Sequence, residues 1–319
     1  MKVKRRRKRL HPILNIIPIM LFAAAAVFFA DGISKLEFIE IPVFEATSPS
    51  PTVGVGRGFS GLELFSSNAI LFDPESGEIF YGKDCEQRIY PASMTKIMTS
   101  LAAIEQIDDL DAPFTLQYSD YAGLYEQNAA MAGFSLGETV TIRDILYATM
   151  LPSGAEAATA LARAAAGSLE EFVPLMNQRA AEIGMDNTHF ANVTGLHDDN
   201  HYTTASDMAL LLSEAFKNEH FMEVYRTLYY TTTPTAQHPN GLKLTSTLVP
   251  RLKQLERERV PIIGNKTGYT LEAQLCLASI AETNGKYRAV ISVGAEGDGR
   301  SRPTHLEDAY LLYQKAFKN

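Results

Sequence analysis

The stretch Pro91-Ala92-Ser93-Met94-Thr95-Lys96-Ile97-Met98-Thr99 places a hydroxyl and an amine at the start of an apolar helical spacing. Pro91 favours an extended approach, and the spacing predicts a helix from Ser93 to about Gln106. Residues three apart share a helix face, so the Ser93 hydroxyl and the Lys96 amine can meet. A serine needs a base to become a nucleophile, and a lysine serves only if its pKa is lowered. The same spacing is compatible with an N-capping serine followed by a surface lysine.

Strand patterns lie at both ends of the chain around this block, and helical patterns lie between them. Residues 68–73 and 78–81 form a hairpin pattern, and the strongest hairpin signal is 274–282 and 286–293 around Asn284-Gly285. A short β-rich run covers 229–233, and helical spacing covers 141–150, 156–166, 169–183, 205–217 and 303–317. This order predicts an α+β fold, in which the first strands of an antiparallel sheet pair with the last and helices flank it, with a mostly helical subdomain.

Two further short motifs carry polar groups. Lys266-Thr267-Gly268 lies on a predicted edge strand, where a lysine and a hydroxyl suit a substrate carboxylate and a glycine permits close backbone approach. Ser153-Gly154-Ala155 lies between two helices, where the serine can reach a cleft and relay a proton. Alone, the first could be a surface turn, and Ser153 could be a helix cap with Glu156 in the first turn.

The N-terminal region predicts passage across a membrane. Seven of the first nine residues are basic, and Ile13 to Ala30 is uncharged. Eighteen helical residues span about 27 Å, close to a hydrocarbon core of about 30 Å. We expect a basic cytoplasmic tail (1–12), a transmembrane anchor or signal segment (13–30), an extracytoplasmic linker (31–63) and a catalytic domain (64–319). A cleaved signal peptide, which gives a secreted protein, is the alternative to a single-pass anchor in the cell membrane.

Charge argues against nucleic acid as a partner. The chain has 29 basic and 37 acidic residues, so without the seven N-terminal cations the balance is 22 against 37, or −15. Phosphate binding needs a basic surface, which this acidic body does not supply. Cys85 and Cys276 are too few for a disulfide framework; a single bridge is possible, although small packing residues are the simpler interpretation.

Together and in this order, the three motifs closely resemble the serine D-alanyl-D-alanine carboxypeptidases, low-molecular-mass penicillin-binding proteins of the β-lactamase-like superfamily. The resemblance extends from about Ser67 to Val293. It includes the first hairpin, the stretch Asn192 to His197 and the stretch His201 to Asp207. It implies a β-lactamase/D,D-peptidase-like fold with the active site in a cleft between the sheet and the helical subdomain.

The resemblance also implies residue roles. Ser93 is the acylated nucleophile, Lys96 its general base and Ser153 a proton shuttle. The substrate-binding residues are Lys266, Thr267, Gly268 and Tyr269: the first two hold the terminal carboxylate, and the backbone N–H groups of Ser93 and Tyr269 form the oxyanion hole. The implied reaction releases D-alanine from peptidoglycan stem peptides ending in D-Ala-D-Ala, with β-lactams as covalent inhibitors and with no metal or organic cofactor.

Two positions depart from the family pattern. Ala155 replaces the asparagine that usually ends the second motif, and such a loss could cost about 10²-fold in rate. Gln274 stands where the family often has glycine. Because of Ala155, a second function stays open, that of a catalytically weak penicillin-binding protein in cell-wall assembly. A β-lactamase is a third, less favoured function; it needs a carboxylate that activates water, and Glu156 is the candidate.

His197 and His201 are four residues apart, a spacing that could bind zinc on a helix. The stretch is typical of a loop, and no glutamate follows the first histidine as in His-Glu-x-x-His. We therefore interpret it as a solvated loop packing near the cleft.

Overall fold

The computed structural model describes residue 59 and residues 61–255, 260–298 and 300–318. The predicted tail 1–12, the predicted anchor 13–30 and most of the predicted linker 31–63 lie outside these residues. Within the described ranges, no helix is both long and apolar enough to span a bilayer. Phe59, near the end of the predicted linker, is buried and packs against Tyr81 with ring centroids 5.8 Å apart.

A five-stranded antiparallel sheet forms the centre of the described domain, in the order β2-β1-β9-β8-β7. The strands are β1 (Asn68–Phe72), β2 (Ile79–Lys83), β3 (Pro113–Thr115), β4 (Thr139–Thr141), β5 (Tyr229–Thr231), β6 (Lys243–Thr245), β7 (Ile262–Thr270), β8 (Gln274–Thr283) and β9 (Lys286–Ala295). β3 with β4 and β5 with β6 form separate two-stranded ribbons. Asn68 of β1 faces Val293 of β9, which confirms that the first strands pair with the last.

Helices cover both faces of the sheet. They are α1 (Lys96–Gln106), α2 (Ile142–Met150), α3 (Ala155–Ala166), α4 (Leu169–Ile183), α5 (Ala205–Phe216), α6 (Glu219–Tyr225), α7 (Leu248–Leu252) and α8 (Thr304–Ala316). Because side chains alternate along a strand, Ile70 of β1 belongs to the core cluster that includes residues of α1, α2 and α3, whereas Leu71 belongs to the cluster that includes residues of α8. The predicted α+β architecture is confirmed.

Local sequence explains where some of the helices begin and end. The Ser168 hydroxyl accepts the Glu171 N–H at 3.2 Å, and Gly184 adopts a left-handed φ of +88°. These two residues limit α4 to the predicted range. The Thr141 hydroxyl caps α2 by accepting the Asp144 N–H at 3.0 Å. Five short elements could not be predicted from the sequence, because three to seven residues are too few to establish a period: α6, α7, β3, β4 and β6.

Candidate active site

Ser93 lies on a 3-10 turn, Ala92–Thr95, that directly precedes α1. The predicted helix ends at Gln106 as expected, but the prediction that it begins at Ser93 is wrong, because residues 92–95 form the tighter 3-10 turn and the α-helix begins at Lys96. The alternative of an N-capping serine is also wrong, since no side chain caps the turn or α1. The Ser93 hydroxyl instead contacts the Lys96 amine, with Nζ and Oγ 3.1 Å apart.

The Lys96 amine is buried, with 2% of the residue exposed. Its Nζ donates to the Ser93 Oγ and, at 2.6 Å, to the Thr194 carbonyl oxygen. Burial lowers the pKa of Lys96 to about 7, and the negative charge of Glu156 opposes part of that shift. A large fraction of this amine is therefore neutral near pH 7, and a neutral amine can remove a proton from a hydroxyl.

Ser153 follows α2 in a left-handed conformation, with φ of +64°. Its Oγ accepts a hydrogen bond from Lys266 Nζ at 3.0 Å. The alternative that Ser153 caps the next helix is wrong, because Gly154 occupies the cap position of α3 without a side-chain bond. A Cβ on Gly154 would lie 2.6 Å from the Ala132 Cβ, so only glycine fits between α2 and the loop that carries Ala132.

The third motif lies on β7, which is an edge strand as predicted. Lys266 is fully buried, and its Nζ also donates to the Thr267 carbonyl oxygen at 2.8 Å. The Thr267 and Thr247 hydroxyls are 2.6 Å apart. A Cβ on Gly268 would lie 3.1 Å from Ser93 N, so glycine lets β7 approach the nucleophile turn closely. Tyr269 is 38% exposed at the mouth of the cleft.

Two buried lysines thus face two serines. Neither Lys96 nor Lys266 forms an ion pair with a carboxylate in the part of the chain that the structure describes. Burial lowers the pKa of Lys266 well below its ordinary value, and the charge on Lys96 lowers it further. Burial and mutual repulsion both favour the neutral amine, which is the form that proton transfer from a serine requires.

These groups line one cleft with a volume of about 770 Å³, except for Lys266, which is fully buried and contacts the cleft residue Ser153. Its lining includes Ser93, Lys96, Ser153, Thr267, Gly268 and Tyr269. The structure therefore brings together motifs that are up to 175 positions apart in sequence, Ser93 and Gly268. Ala155 also lines the cleft, where its methyl group presents no hydrogen-bonding atom.

Glu156 is fully buried and does not line the cleft. Its Oε1 accepts the N–H groups of Ala132 and Gly133 at 2.7 and 2.8 Å, and its Oε2 has no hydrogen-bond partner. Burial raises the pKa of this carboxyl. It therefore fastens the loop containing Ala132 to α3, a position that does not suit a carboxylate activating water in the cleft.

Several residues of the cleft were not predicted from the sequence. Thr194 supplies the carbonyl that Lys96 contacts, and a Cβ on Gly195 would lie 1.9 Å from the Ala92 carbonyl oxygen. The signal for these two was the stretch Asn192 to His197, which the resemblance included without a role. Further lining residues with no sequence signal are Gln127, Asn128, Thr247, Arg251 and His305.

The two histidines singled out from the sequence have different surroundings. His197 lies at the cleft mouth, where its ring meets Tyr90 edge-on and its Nδ1 is 3.8 Å from Glu272. His201 is 2% exposed and bonds to Thr95 below the nucleophile turn. The interpretation of this stretch as a solvated loop is wrong for His201, which belongs to the core of the site.

The structure also shows the surroundings of Gln274 and of the two cysteines. Gln274 has a φ of +56°, a conformation that glycine adopts without strain, which accounts for the glycine usual at that position. Its amide oxygen accepts the Gly297 N–H at 3.3 Å. Cys85 and Cys276 are both free and buried, as expected of packing residues.

Over residues 57–297 the sequence matches the D-alanyl-D-alanine carboxypeptidase family of S11 peptidases. The chain belongs to this family. The assignment agrees with the resemblance inferred from the three motifs, and it covers every residue of the cleft except His305, which follows the matched region.

Named D-alanyl-D-alanine carboxypeptidases are among the relatives. DacF of Bacillus subtilis is 34% identical over 267 residues, which cover 81% of this chain and 66% of that protein. The enzyme of Streptomyces sp. K15 is also 34% identical, over 76% of this chain and 84% of its own length. The chain thus spans about two thirds of the length of the Bacillus protein.

The solved structures agree with the assignment of fold. The crystal structure of the Streptomyces K15 DD-transpeptidase aligns with a TM-score of 0.72 and 28% identity, over 81% of this chain and 99% of that one. The expected D,D-peptidase-like fold is confirmed by this neighbour. The family match and the structural neighbour therefore both identify the domain around the cleft as a D,D-peptidase.

Proposed function

We propose that this protein is a serine D,D-carboxypeptidase that removes the terminal D-alanine from peptidoglycan stem peptides. The observation that carries the proposal is the Lys96 Nζ, which lies buried 3.1 Å from the Ser93 Oγ, is held by the Thr194 carbonyl and has no carboxylate partner among the described residues. Membership of the D-alanyl-D-alanine carboxypeptidase family supports the choice of substrate.

In the proposed acylation, neutral Lys96 takes the hydroxyl proton while the Ser93 Oγ bonds to the carbonyl carbon between the two D-alanines. The backbone N–H groups of Ser93 and Tyr269 stabilise the negative oxygen. The carbon–nitrogen bond then breaks, the leaving amine receives a proton, and free D-alanine departs. Ser153 contacts the second lysine and lines the cleft, so it is placed to carry that proton.

The substrate carboxylate meets β7 in this proposal. Thr267 lines the cleft and offers a hydroxyl, while the Lys266 amine lies buried behind it and donates to Ser153 and to the Thr267 carbonyl. A carboxylate bound here favours the protonated form of Lys266, because an opposite charge nearby raises the pKa of a lysine. In the second half-reaction, water attacks the acyl-enzyme and restores Ser93.

The decisive experiment treats the full chain with a fluorescent penicillin and maps the adduct by mass spectrometry. We expect the label on Ser93 in the native protein and none in Ser93→Ala or Lys96→Ala. Ser100→Ala is the matched control, because Ser100 is a buried serine on α1 whose hydroxyl has no hydrogen-bond partner in the described part of the chain. Labelling of Ser93→Ala at the native level would contradict the proposal.

Release of D-alanine from a synthetic peptide ending in D-Ala-D-Ala distinguishes the enzyme from a weak binder. That alternative has one specific observation in its favour, the methyl group of Ala155 in the cleft. Release above the Ser93→Ala level supports the carboxypeptidase, and a stable penicillin adduct without release supports the binder. Rapid loss of the adduct with hydrolysed penicillin would instead indicate a β-lactamase.

We propose further that the apolar segment 13–30 holds the catalytic domain outside the cytoplasm at the cell membrane. The support is the sequence, in which seven cations precede 18 uncharged residues. The test is fractionation of cells that produce the full chain, with a variant starting at residue 31 as the control. We expect the full chain in alkali-washed membranes with its N-terminus intact. Recovery in the medium with a new N-terminus would establish cleavage instead.

A further inference from the structure

His201 lies directly below the nucleophile turn and takes no part in the chemistry described above. Only 2% of the residue is exposed, and its ring packs edge-on against Phe190, with centroids 5.7 Å apart. Burying an imidazole is favourable only if both ring nitrogens find partners. The identity of those partners determines what the ring can do.

The hydrogen bonds of His201 determine its tautomer. The Nδ1 atom faces two backbone donors, the N–H groups of Ala191 at 3.0 Å and Asn192 at 3.4 Å. A backbone N–H can only donate, so Nδ1 must accept and the proton must lie on Nε2. The Nε2–H group then donates to the Thr95 Oγ1, which lies 2.7 Å away.

Thr95 passes this constraint to the turn that carries the nucleophile. Its hydroxyl accepts from His201 and can therefore direct its own proton to the Ala92 carbonyl oxygen, 2.8 Å away. Thr95 itself is fully buried. The Thr95 hydroxyl thus holds the Ala92 carbonyl, at a residue whose φ of +46° is unfavourable for alanine.

The Ala92 carbonyl and the Ser93 N–H belong to the same peptide group. A peptide group is planar, and in the trans form its carbonyl and N–H point in opposite directions. The structure contains no cis peptide among the residues it describes. Fixing the direction of the Ala92 oxygen therefore fixes the direction of the Ser93 N–H, on the side where Gly268 of β7 approaches.

We propose that neutral His201 is a positioning residue, which acts through Thr95 to aim the Ser93 backbone N–H at the developing oxyanion. This inference rests on the proposed function, in which that N–H is one of the two oxyanion donors. The imidazole touches neither the substrate nor the reacting atoms. It stabilises a strained peptide plane that the local sequence alone does not favour.

The surroundings of the ring keep it neutral. Burial lowers the pKa of His201 to about 4, and Asp198 opposes that shift, whereas His189, His197 and Lys96 reinforce it. A proton on Nδ1 would also point at the Ala191 N–H, so that two donors would face each other. The neutral Nε2–H tautomer therefore persists throughout the range in which Lys96 loses its proton.

Three variants separate the two ends of this hydrogen-bond chain. His201→Asn can keep the acceptor for Ala191 but is too short to reach Thr95. His201→Gln can place an amide N–H near the former Nε2 position. Thr95→Val keeps the branched shape and removes the hydroxyl. His189→Gln is the matched control, because the exposed His189 ring bonds to the Asn200 carbonyl and lies beside a tyrosine ring, away from the nucleophile turn.

The measurements are the rate of penicillin acylation, kcat and KM for a D-Ala-D-Ala peptide, and thermal stability. We expect His201→Asn and Thr95→Val each to lower the acylation rate and kcat about 10-fold or more with little change in KM, since the interaction acts in the transition state. His201→Gln should recover part of the loss. The variant with both His201→Asn and Thr95→Val should be no slower than Thr95→Val alone.

Three results would overturn the inference. The first is native acylation by His201→Asn, and the second is a fully additive loss when the two substitutions are combined. The third is a lower melting temperature with unchanged kcat, which would show a purely structural role. If the native protein itself forms no adduct, the proposed function fails and this inference fails with it. If the native protein forms the adduct and the variants acylate equally fast, the inference fails but the proposed function stands.

Discussion

The β8–β9 hairpin and the Ser93 turn both use backbone conformations that L-residues avoid, but they achieve them differently. In the hairpin, Asn284 and Gly285 have φ values of +54° and +74°, and both residue types accept them. In the turn, Ala92 has a φ of +46° although alanine disfavours it. The Thr95 hydroxyl, which is itself bonded to His201, and the close approach of Gly195 hold Ala92 in place. The hairpin is thus specified locally, whereas the turn depends on residues about 100 positions away.

The largest effect is expected when the close contact between Gly195 and the Ala92 carbonyl is disturbed. In Gly195→Ala the new Cβ would lie 1.9 Å from the Ala92 oxygen, at a φ of +80°. The turn must move, and we expect a loss of on the order of 4 kcal/mol in unfolding free energy from backbone strain and overpacking. Urea unfolding and penicillin acylation provide the measurements. A variant that keeps native stability and native acylation would contradict this account of the turn.

The next effect tests the chemistry that the turn supports. Replacing Lys96 with methionine keeps an unbranched side chain but removes the base, so the acylation rate should fall by about 10²- to 10⁴-fold. Lys286→Met, on the exposed end of β9, is the control and should acylate normally. Stopped-flow measurement with a fluorescent penicillin checks both. Equal rates in the two variants would exclude Lys96 as the base.

The pH dependence gives a third test of the same lysine. Since burial lowers the pKa of Lys96 to about 7, the neutral fraction rises as the pH rises through that value. The acylation rate should therefore fall about tenfold for each pH unit below the midpoint and level off above it. A profile measured from pH 5 to 9 provides the check. A midpoint near the ordinary lysine value would show that the amine is solvated during the reaction.

A smaller gain is expected at the cleft position that lacks a polar group. Ala155→Asn places an amide where the family usually has one, and the residue lines the cleft. We expect release of D-alanine to rise about 10-fold, somewhat less than the effect of a full oxyanion donor. Steady-state kinetics on a D-Ala-D-Ala peptide measure it, with the Ser93→Ala, Ala155→Asn variant as background. No gain would mean that another group already fills this role.

The smallest effect lies in the hairpin. Gly285→Ala meets no atom within 4 Å, so only the φ of +74° opposes it. We expect a loss of about 1 kcal/mol in unfolding free energy with native acylation. Compared with Gly195→Ala, this variant separates backbone strain in open space from strain at a packed contact. A larger loss than in Gly195→Ala would reverse the comparison.

The contrast also explains how much could be predicted from sequence. The limits of α4 follow from Ser168 and Gly184, and the β8–β9 hairpin follows from Asn-Gly, because neighbouring residues determine both. The pairing of Ser93 with Lys96 follows from their spacing. The 3-10 turn could not be predicted, nor could the contact between Thr95 and His201, because they depend on a loop whose position only the folded chain defines.

The pairing of β1 with β9 joins strands more than 200 residues apart, and β7 enters the sheet beside β8. Contacts so distant in sequence form late and slowly during folding. The wall formed by Lys266 and Gly268 can reach the serine only after nearly the whole domain has been synthesised. A nascent chain therefore contains the Ser93 hydroxyl before one wall of its cleft has been made, and the site is complete only when the final strands join the sheet.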